Sequence, residues 1–174
     1  NLNALKVTGV MDVVVAFDYR NQMVRHKDRT PDPDKVHLYT YDAFGRRISK
    51  TVDYGLPLTE ATTRFYYCGW QVIEERNGQD QVAATYVYGN GLDEILTMRR
   101  GGVDLFYHAD DLGSVMKLTD AVGILIESYE YGDYGRPLDS GTLAPNSGSA
   151  PTVGNPYLFT GARYDSETGL YYMR

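Results

Sequence analysis

The sequence predicts an all-β protein built as an array of antiparallel hairpins. Along most of the 174 residues, short runs of β-branched and aromatic residues alternate with turn signals, and such residues favour extended strands. No long stretch keeps the i, i+3, i+4, i+7 apolar spacing of an amphipathic helix. The turn signals are an Asp-x-x-Gly corner and looser copies of it. The aromatic residues that enter these corners recur with an irregular period mostly in the twenties, which indicates a repeat array with loops of unequal length.

The clearest corner is the stretch from Tyr41 to Arg46, which lies between two strand patterns. Asp is favoured at the first position of a type I turn, where its side chain bonds the backbone ahead of it, and Gly is favoured at the fourth. We therefore expect Gly45 and Gly113 to have positive φ. The predicted structural turn residues are Asp18, Asn21, Asp42, Gly45, Asp110, Gly113, Asp120, Gly123 and Gly135.

Three segments are predicted from the pattern. Residues 1–138 form the β-sheet array, residues 139–156 form a flexible Pro/Gly/Ser-rich connection, and residues 157–174 resume the strand pattern. Within the array, Asn77-Gly78 predicts a two-residue type I′ hairpin turn, because both residues accept positive φ.

Composition narrows the classes of partner and compartment. The net charge of −6 and the pI near 5.0 argue against a nucleic-acid partner, which usually requires a basic face. No apolar run approaches the length of a membrane span, and we find no signal peptide. Since the chain starts at Asn1 without a Met, we expect it to be a piece of a longer protein. The single Cys68 excludes an intrachain disulfide, and we expect it to be a buried structural thiol.

Residue patterns that carry chemistry were sought and not found. There is no Gly-x-Ser-x-Gly nucleophile turn, and His26, His37, His108 and Cys68 show no metal-ligand spacing. The Asp residues of the corners are explained by turn formation and do not alternate as in a calcium loop. From the residues alone we therefore predict no cofactor, no metal, no catalytic residue and no enzymatic activity, hydrolytic or metal-dependent.

Three units of the chain are alike when they are set side by side: Tyr41–Arg46, Phe106–Ser114 and Tyr129–Pro137. They resemble the YD repeats of the Rhs family, which includes bacterial polymorphic toxins, C components of insecticidal toxin complexes and animal teneurins. Tyr107–Val115 is similar to a signature in the core segment that ends the bacterial array, and Phe159–Arg174 is similar to the closing run of that segment. The resemblance covers about residues 11–174.

The resemblance implies a spiralling strip of antiparallel sheet that forms part of a β-shell around a toxic polypeptide. In many relatives, aspartates of a later motif cut the chain. That motif is not among these residues, so no autoproteolytic residue is transferred. We expect a non-catalytic structural segment that encloses or presents a toxin or partner polypeptide, in a protein that is secreted or at the cell surface. The alternative is a Tyr-rich surface module that binds glycan or a partner protein.

The expected partners follow from the exposed edges of such a strip. Unpaired strand edges recruit other strands, so we expect further YD-repeat chain or another copy to pair there. An enclosed toxin polypeptide is a further expected partner, whereas nucleic acid and a membrane span are not expected.

Overall fold

The computed structural model describes residues 13–28, 35–53, 61–91, 93–138 and 153–173. The described residues divide into two compact units, one ending at Val82 and one starting at Ala83. Both consist almost entirely of antiparallel β-structure, with two short 3-10 turns and no α-helix in the described ranges. The predicted all-β, antiparallel fold class is therefore confirmed.

The first unit is a meander in which each strand pairs with the one before it. Strands of this kind need only short hairpin connections, because antiparallel neighbours can follow one another directly in the chain. The strands are β1 (Val13–Phe17), β2 (Met23–Asp28), β3 (Lys35–Tyr41), β4 (Arg47–Asp53), β5 (Ala61–Cys68) and β6 (Gln71–Asn77).

The second unit continues the same pattern and then adds two short ribbons. Five strands pair in chain order, and two separate two-stranded ribbons follow. The strands of the meander are β7 (Val82–Tyr88), β8 (Ile95–Arg100), β9 (Val103–Ala109), β10 (Val115–Thr119) and β11 (Leu125–Ser128), and those of the ribbons are β12 (Glu130–Tyr131) with β13 (Pro137–Leu138) and β14 (Arg163–Asp165) with β15 (Leu170–Tyr172).

One face of the strands in each unit is buried, while the other face reaches solvent. In β3, for example, His37 and Tyr39 are buried while Leu38 between them is exposed. This is the period of two expected for a strand with one covered face. The buried apolar residues are Ala16, Tyr39, Val52, Phe65 and Val72 in the first unit, and Ala84, Tyr86, Ile95, Met98, Leu105, Val115, Leu118, Tyr129, Tyr157 and Leu158 in the second.

The buried face of the first unit also carries polar groups. His26 and His37 stack with ring centroids 5.6 Å apart. The guanidinium carbon of Arg47, a residue only 1% exposed, lies 5.1 Å from the ring centre of Tyr39 and 5.6 Å from that of Phe65. Cation–π contacts of this kind stabilise a buried guanidinium that has left water.

The predicted burial of Cys68 is wrong, because its thiol is exposed at the end of β5. The residue enters a tight turn, where its side chain has no sheet face to cover it. The predicted flexible connection over 139–156 lies outside the described residues up to 152. The predicted boundaries 1–138, 139–156 and 157–174 stay predictions.

Candidate functional site

The hairpin corners share one hydrogen-bond pattern, and the Asp42 corner shows it most fully. The N–H of Asp42 donates to the carbonyl of Arg46 at 2.9 Å, and the N–H of Gly45 donates back to the carbonyl of Asp42 at 3.1 Å. The Asp42 carboxylate accepts the N–H groups of Phe44 and Arg46, both at 2.9 Å. Gly45 has a φ of 88°, a conformation that glycine adopts without a steric penalty. The Asp42 side chain thus serves as the acceptor for two backbone N–H groups of the turn.

Four further corners repeat this pattern around a single acceptor side chain. In each, the first residue accepts two backbone N–H groups, and the fourth residue has positive φ. The pairs of first and fourth residue are Asp18 with Asn21, Asn77 with Asp80, Asp110 with Gly113, and Asp120 with Gly123.

The corner at Asn77 was missed from the sequence. The predicted type I′ turn at Asn77-Gly78 is wrong, since neither residue has positive φ. Asn77 instead takes the role of the corner Asp, with its side-chain oxygen 3.0 Å from the N–H of Gln79, and Asp80 takes the position of the glycine with a φ of 64°. Asn and Asp tolerate these two positions, so the spacing Asn-x-x-Asp was the available signal.

Gly135 lies in a corner of a different kind. The N–H of Gly132 donates to the carbonyl of Arg136 at 2.8 Å, as in the other corners. The first position of this corner is Gly132 and not an Asp. Two successive residues, Tyr134 and Gly135, have left-handed backbone conformations, with φ values of 60° and 76°. A second corner without an acceptor side chain starts at Leu158, and there Thr160 and Gly161 also have positive φ, at 52° and 68°.

Tyrosine hydroxyls connect one hairpin to the next. Tyr41 donates to the carbonyl of Met23 at 2.8 Å, and Tyr67 donates to the carbonyl of Arg47 at 2.8 Å. In the second unit, Tyr131 donates in the same way to the carbonyl of Val115. Tyr41 and Tyr131 end their strands and Tyr67 is the next-to-last residue of its strand. Each acceptor is the first residue of a strand that follows an earlier Asp corner, at Asp18, Asp42 or Asp110. We call these three bonds the tyrosine ladder.

Corner residues of the first unit also bond directly to the next corner. The guanidinium of Arg20 donates to the carbonyl of Ala43 at 2.6 Å, and the amide of Gln22 donates to the carbonyl of Gly45 at 2.9 Å. Arg46 donates in the same sense to the carbonyl of Gly69. Three successive corners therefore lie side by side at one rim of this unit.

The Arg46–Asp42 ion pair strengthens the central corner electrostatically. A guanidinium nitrogen of Arg46 lies 2.7 Å from the Asp42 carboxylate. Desolvation raises the pKa of Asp42, but the hydrogen bonds from the backbone and side chain of Arg46 outweigh it and hold the pKa below its usual value. The carboxylate therefore stays ionised and keeps its acceptor role.

In the second unit, the segment from Asn155 onwards binds to the strands through one buried amide. The side-chain oxygen of Asn155 accepts the hydroxyl of Tyr107 at 2.7 Å and the N–H of Tyr157 at 3.0 Å. Its amino group donates to the Tyr129 hydroxyl at 3.0 Å and to the Tyr157 carbonyl at 2.8 Å. Asn155 is only 1% exposed. One side chain thereby joins residues 26 and 48 positions away in the sequence.

Aromatic contacts hold the rest of this segment. The hydroxyls of Tyr88 and Tyr157 are 2.9 Å apart. The ring of Phe159 lies between those of Tyr131 and Tyr171, with centroids 5.6 and 6.4 Å away, and Tyr171 donates its hydroxyl to the Gly135 carbonyl at 2.9 Å. Sequence reasoning did not find these pairings, because nothing local in the chain indicates contacts over such separations.

Burial raises the pKa of these tyrosines well above the usual value. Desolvation is the largest cause for Tyr88, Tyr129 and Tyr131. The proximity of the Tyr157 hydroxyl adds to the effect at Tyr88. Their hydroxyls therefore remain neutral hydrogen-bond donors at physiological pH.

Within the described ranges, no group of three or more His, Cys, Asp and Glu side chains comes together to hold a metal ion. His108 lies at the surface with its ring nitrogen 2.9 Å from the Thr119 hydroxyl. Among the described residues there is no apolar helix of membrane-spanning length.

Comparison with a solved structure places the fold among known proteins. Residues of the chain match part of TcdB2-TccC3, in its crystal structure, with a TM-score of 0.62 and 19% identity, over 92% of this chain and 8% of that one. The chain has an Rhs-like fold. No protein-family model matches the chain.

Three curated relatives are 31% identical to the chain over 137 residues, which is 78% of this chain and 5% of each relative. They are the tRNA3(Ser)-specific nuclease WapA of Bacillus spizizenii, the tRNA nuclease WapA of Bacillus subtilis strain 168 and the tRNA(Glu)-specific nuclease WapA of Bacillus subtilis subsp. natto. The chain thus spans only a small part of the relatives that it matches.

These relatives correct one prediction. The sequence-based prediction of no enzymatic activity is wrong, because the relatives are named for an enzymatic activity, the cleavage of tRNA. The search for nucleophiles, bases and metal ligands tested only 174 residues, whereas the names describe proteins of which this chain spans 5%. The predicted lack of a nucleic-acid partner rests on the charge of this chain alone and stays a prediction.

Proposed function

We propose that this chain is a wall segment of a secreted Rhs-type toxic nuclease, in which the β-sheet encloses or presents the toxin polypeptide. The similarity to the WapA nucleases and the fold shared with TcdB2-TccC3 support the class of protein. The structural role is supported by the tyrosine ladder, which is the single observation that carries it.

The tyrosine ladder distinguishes a wall from a Tyr-rich binding face. A recognition surface would leave tyrosine hydroxyls exposed to a ligand, whereas a wall uses them internally. The hydroxyls of Tyr41 and Tyr67 donate hydrogen bonds to backbone carbonyls of the neighbouring hairpin, and the hydroxyl of Tyr131 does the same in the second unit. Each such bond contributes about 0.5–1.5 kcal/mol, and a repeat array sums these terms along its length.

Limited proteolysis of the intact toxin protein that contains this segment tests the proposal. If the segment encloses the toxin polypeptide, the toxin region should resist trypsin under conditions that digest the same region expressed alone. Combined Tyr41→Phe and Tyr67→Phe substitutions remove only two ladder hydroxyls and should speed cleavage of the toxin region. Tyr19→Phe, at a residue that is 90% exposed, is the matched control and should leave the cleavage rate unchanged.

Two results of this experiment would contradict different parts of the proposal. Rapid cleavage of the toxin region in the unmodified protein would contradict enclosure, whatever the variants do. Equal cleavage of the ladder variant and the Tyr19→Phe control would contradict the role of the tyrosine ladder in closing the wall.

A further inference from the structure

The chain contains two Asn-Gly pairs, Asn77-Gly78 at the corner after β6 and Asn90-Gly91 in the connection between β7 and β8. Asn is among the chemically labile residues of proteins. It is most labile before glycine, because no side chain then hinders attack of the following backbone nitrogen on the carboxamide. The two pairs have the same local chemistry, so a difference in their reactivity has to come from the fold.

The corner restrains the carboxamide of Asn77. Its oxygen accepts the N–H of Gln79 at 3.0 Å and the N–H of Gln81 at 2.9 Å. Its amino group donates to the side-chain oxygen of Gln81 at 3.0 Å. Attack by the Gly78 nitrogen would require the carboxamide to turn and to become tetrahedral, which would break these bonds. The corner therefore protects Asn77.

The connection at Asn90 is held together differently. The N–H of Gly89 donates to the backbone carbonyl of Glu94 at 2.8 Å, and the N–H of Gly91 donates to the Glu94 carboxylate at 2.7 Å. Neither bond uses the carboxamide of Asn90, which is an exposed residue. These bonds therefore leave the carboxamide able to turn toward the Gly91 nitrogen.

The Glu94 carboxylate is held directly against the backbone of this pair. A Cβ at Gly89 would collide with the carboxylate, and a Cβ at Gly91 would lie 3.1 Å from its Oε2. The carboxylate thus occupies space that only glycines leave open. It accepts the proton of the nitrogen that has to lose it, and this contact satisfies the geometric requirement for a general base.

We propose that Asn90 is a self-modification site, at which the Gly91 nitrogen displaces the side-chain amide and the Glu94 carboxylate acts as the base. The carboxylate takes the Gly91 N–H proton as the nitrogen bonds to Cγ of Asn90, and the Cγ–Nδ2 bond then breaks. The proton leaves with Nδ2, so ammonia is released and a cyclic succinimide remains. Water, the only co-reactant, opens this ring at either carbonyl and gives an aspartyl or an isoaspartyl linkage.

The isoaspartyl product has a consequence for the segment from Asn155 onwards. A Cβ at Gly161 would lie 2.8 Å from the carbonyl oxygen of Asp93, so the backbones of Gly161 and Asp93 are in close contact. An isoaspartyl linkage adds one methylene to the main chain between Gly89 and Glu94, and the close contact has no spare room to absorb it. We expect the modification to loosen this segment.

Mass spectrometry of one tryptic peptide tests the site. Trypsin cleaves after Arg76 and Arg99, so residues 77–99 contain both Asn-Gly pairs in a single peptide. After incubation of the folded chain in neutral buffer, fragment ions should show that Asn90 loses its amide at least about tenfold faster than Asn77. In concentrated urea the two rates should become similar, because the unfolded chain keeps only the local sequence. Labelling with an isoaspartyl methyltransferase identifies the isoaspartyl product.

Variants test the base. Glu94→Gln keeps the size of the side chain and an acceptor oxygen for the Gly91 N–H but is not basic. It should slow the reaction of Asn90 about tenfold or more and leave Asn77 unchanged. Glu130→Gln, at an exposed glutamate of β12, is the matched control because it removes the same charge, and it should leave both rates unchanged. Circular dichroism checks that both variants fold.

The effect on the segment is measured by trypsin cleavage after Arg163, which is 7% exposed in the folded chain. Cleavage should be faster in the incubated chain than in the fresh chain. Asn90→Ala, which cannot form the succinimide, should show no such change after the same incubation. Equal cleavage of the incubated wild-type and Asn90→Ala chains would contradict the predicted loosening.

Three other results would overturn the proposal. Equal loss of the amide at Asn77 and Asn90 in the folded chain would show that the fold does not select the site. A preference for Asn90 that persisted in urea would assign it to the local sequence alone. Equal rates in Glu94→Gln and Glu130→Gln would remove Glu94 as the base. None of these measurements concerns protection of the toxin region, so failure here and failure of the wall function are distinguishable.

Discussion

Replacing Asn155 by Ala should destabilise the second unit more than any exposed substitution. The change removes four hydrogen bonds, two accepted by the side-chain oxygen and two donated by the amino group. At about 0.5–1.5 kcal/mol each, the loss is roughly 2–6 kcal/mol. Tyr hydroxyls can rotate toward other partners, so we expect about 3 kcal/mol, or a fall in Tm of roughly 6–12 °C.

The nearly isosteric Asn155→Asp substitution tests the reasoning more sharply. A carboxylate keeps the two accepted bonds but has no N–H to donate to the Tyr157 carbonyl, and it would occupy a site where the native side chain is 1% exposed. We expect this burial to raise its pKa in the folded chain above the unfolded value near 3.9. The protonated form is then favoured on folding, so the stability of this variant relative to wild type should be highest below about pH 4 and fall as pH rises through the raised pKa.

Urea unfolding followed by circular dichroism measures both variants across pH. Asn90→Ala, at an exposed residue, is the matched control and should change the unfolding midpoint little. The assignment of Asn155 would be refuted if Asn155→Ala unfolded at the wild-type urea concentration. An Asn155→Asp variant whose stability relative to wild type did not change with pH would contradict the burial of the side chain at this position.

Three further predictions concern the corners and the tyrosines. Gly45→Ala should lower the free energy of unfolding by about 1 kcal/mol or more, since φ is 88° and the new methyl carbon would lie 3.0 Å from the Gln22 amide. The control is Gly78→Ala, where the new carbon has an ordinary contact at 3.7 Å. Equal urea midpoints for the two variants would contradict the turn geometry. Tyr41→Phe should cost about 0.5–1.5 kcal/mol through the lost bond to Met23, and an unchanged midpoint would argue against the tyrosine ladder. Burial raises the pKa of Tyr88, so the stability that the neutral hydroxyl provides is present below pH 10 and is lost progressively above it. Absorbance at 295 nm should show that part of the tyrosines ionise only together with loss of the circular dichroism signal. Complete ionisation of the tyrosines in the folded chain would disprove their burial.

The fold class could be predicted from the sequence because hairpin arrays rest on local rules. Asp42 and Gly45 stand three positions apart and fill two defined places in one turn, so their residue types are informative. Asn77 and Asp80 occupy equivalent places with less typical residues, and the adjacent Asn-Gly pair gave a competing signal that was wrong. Local chemistry therefore predicts turns well only where the preferred residue type is present.

The contacts of the second unit could not be predicted in the same way. The amide of Asn155 bonds Tyr107 and Tyr129 across long stretches of sequence, and no local pattern encodes such a pairing. The exposure of Cys68 was also missed, because burial depends on the turn that the residue enters and not on its preference for apolar surroundings. The activity for which the relatives are named was not predicted for another reason, since this chain spans only 5% of each of those nucleases.

The tyrosine ladder has a consequence for how such arrays change during evolution. Each bond requires one tyrosine, while its acceptor is a main-chain carbonyl that every residue type supplies. The bond itself therefore places no demand on the side chain at the receiving position, and what constrains Arg47 and Val115 is their burial. Duplication or deletion of a whole pair of hairpins leaves donor and acceptor chemistry matched at the new junction without any coordinated second substitution. Recombination between distantly related copies should accordingly preserve folding, and the number of hairpins can change by whole pairs without loss of these bonds.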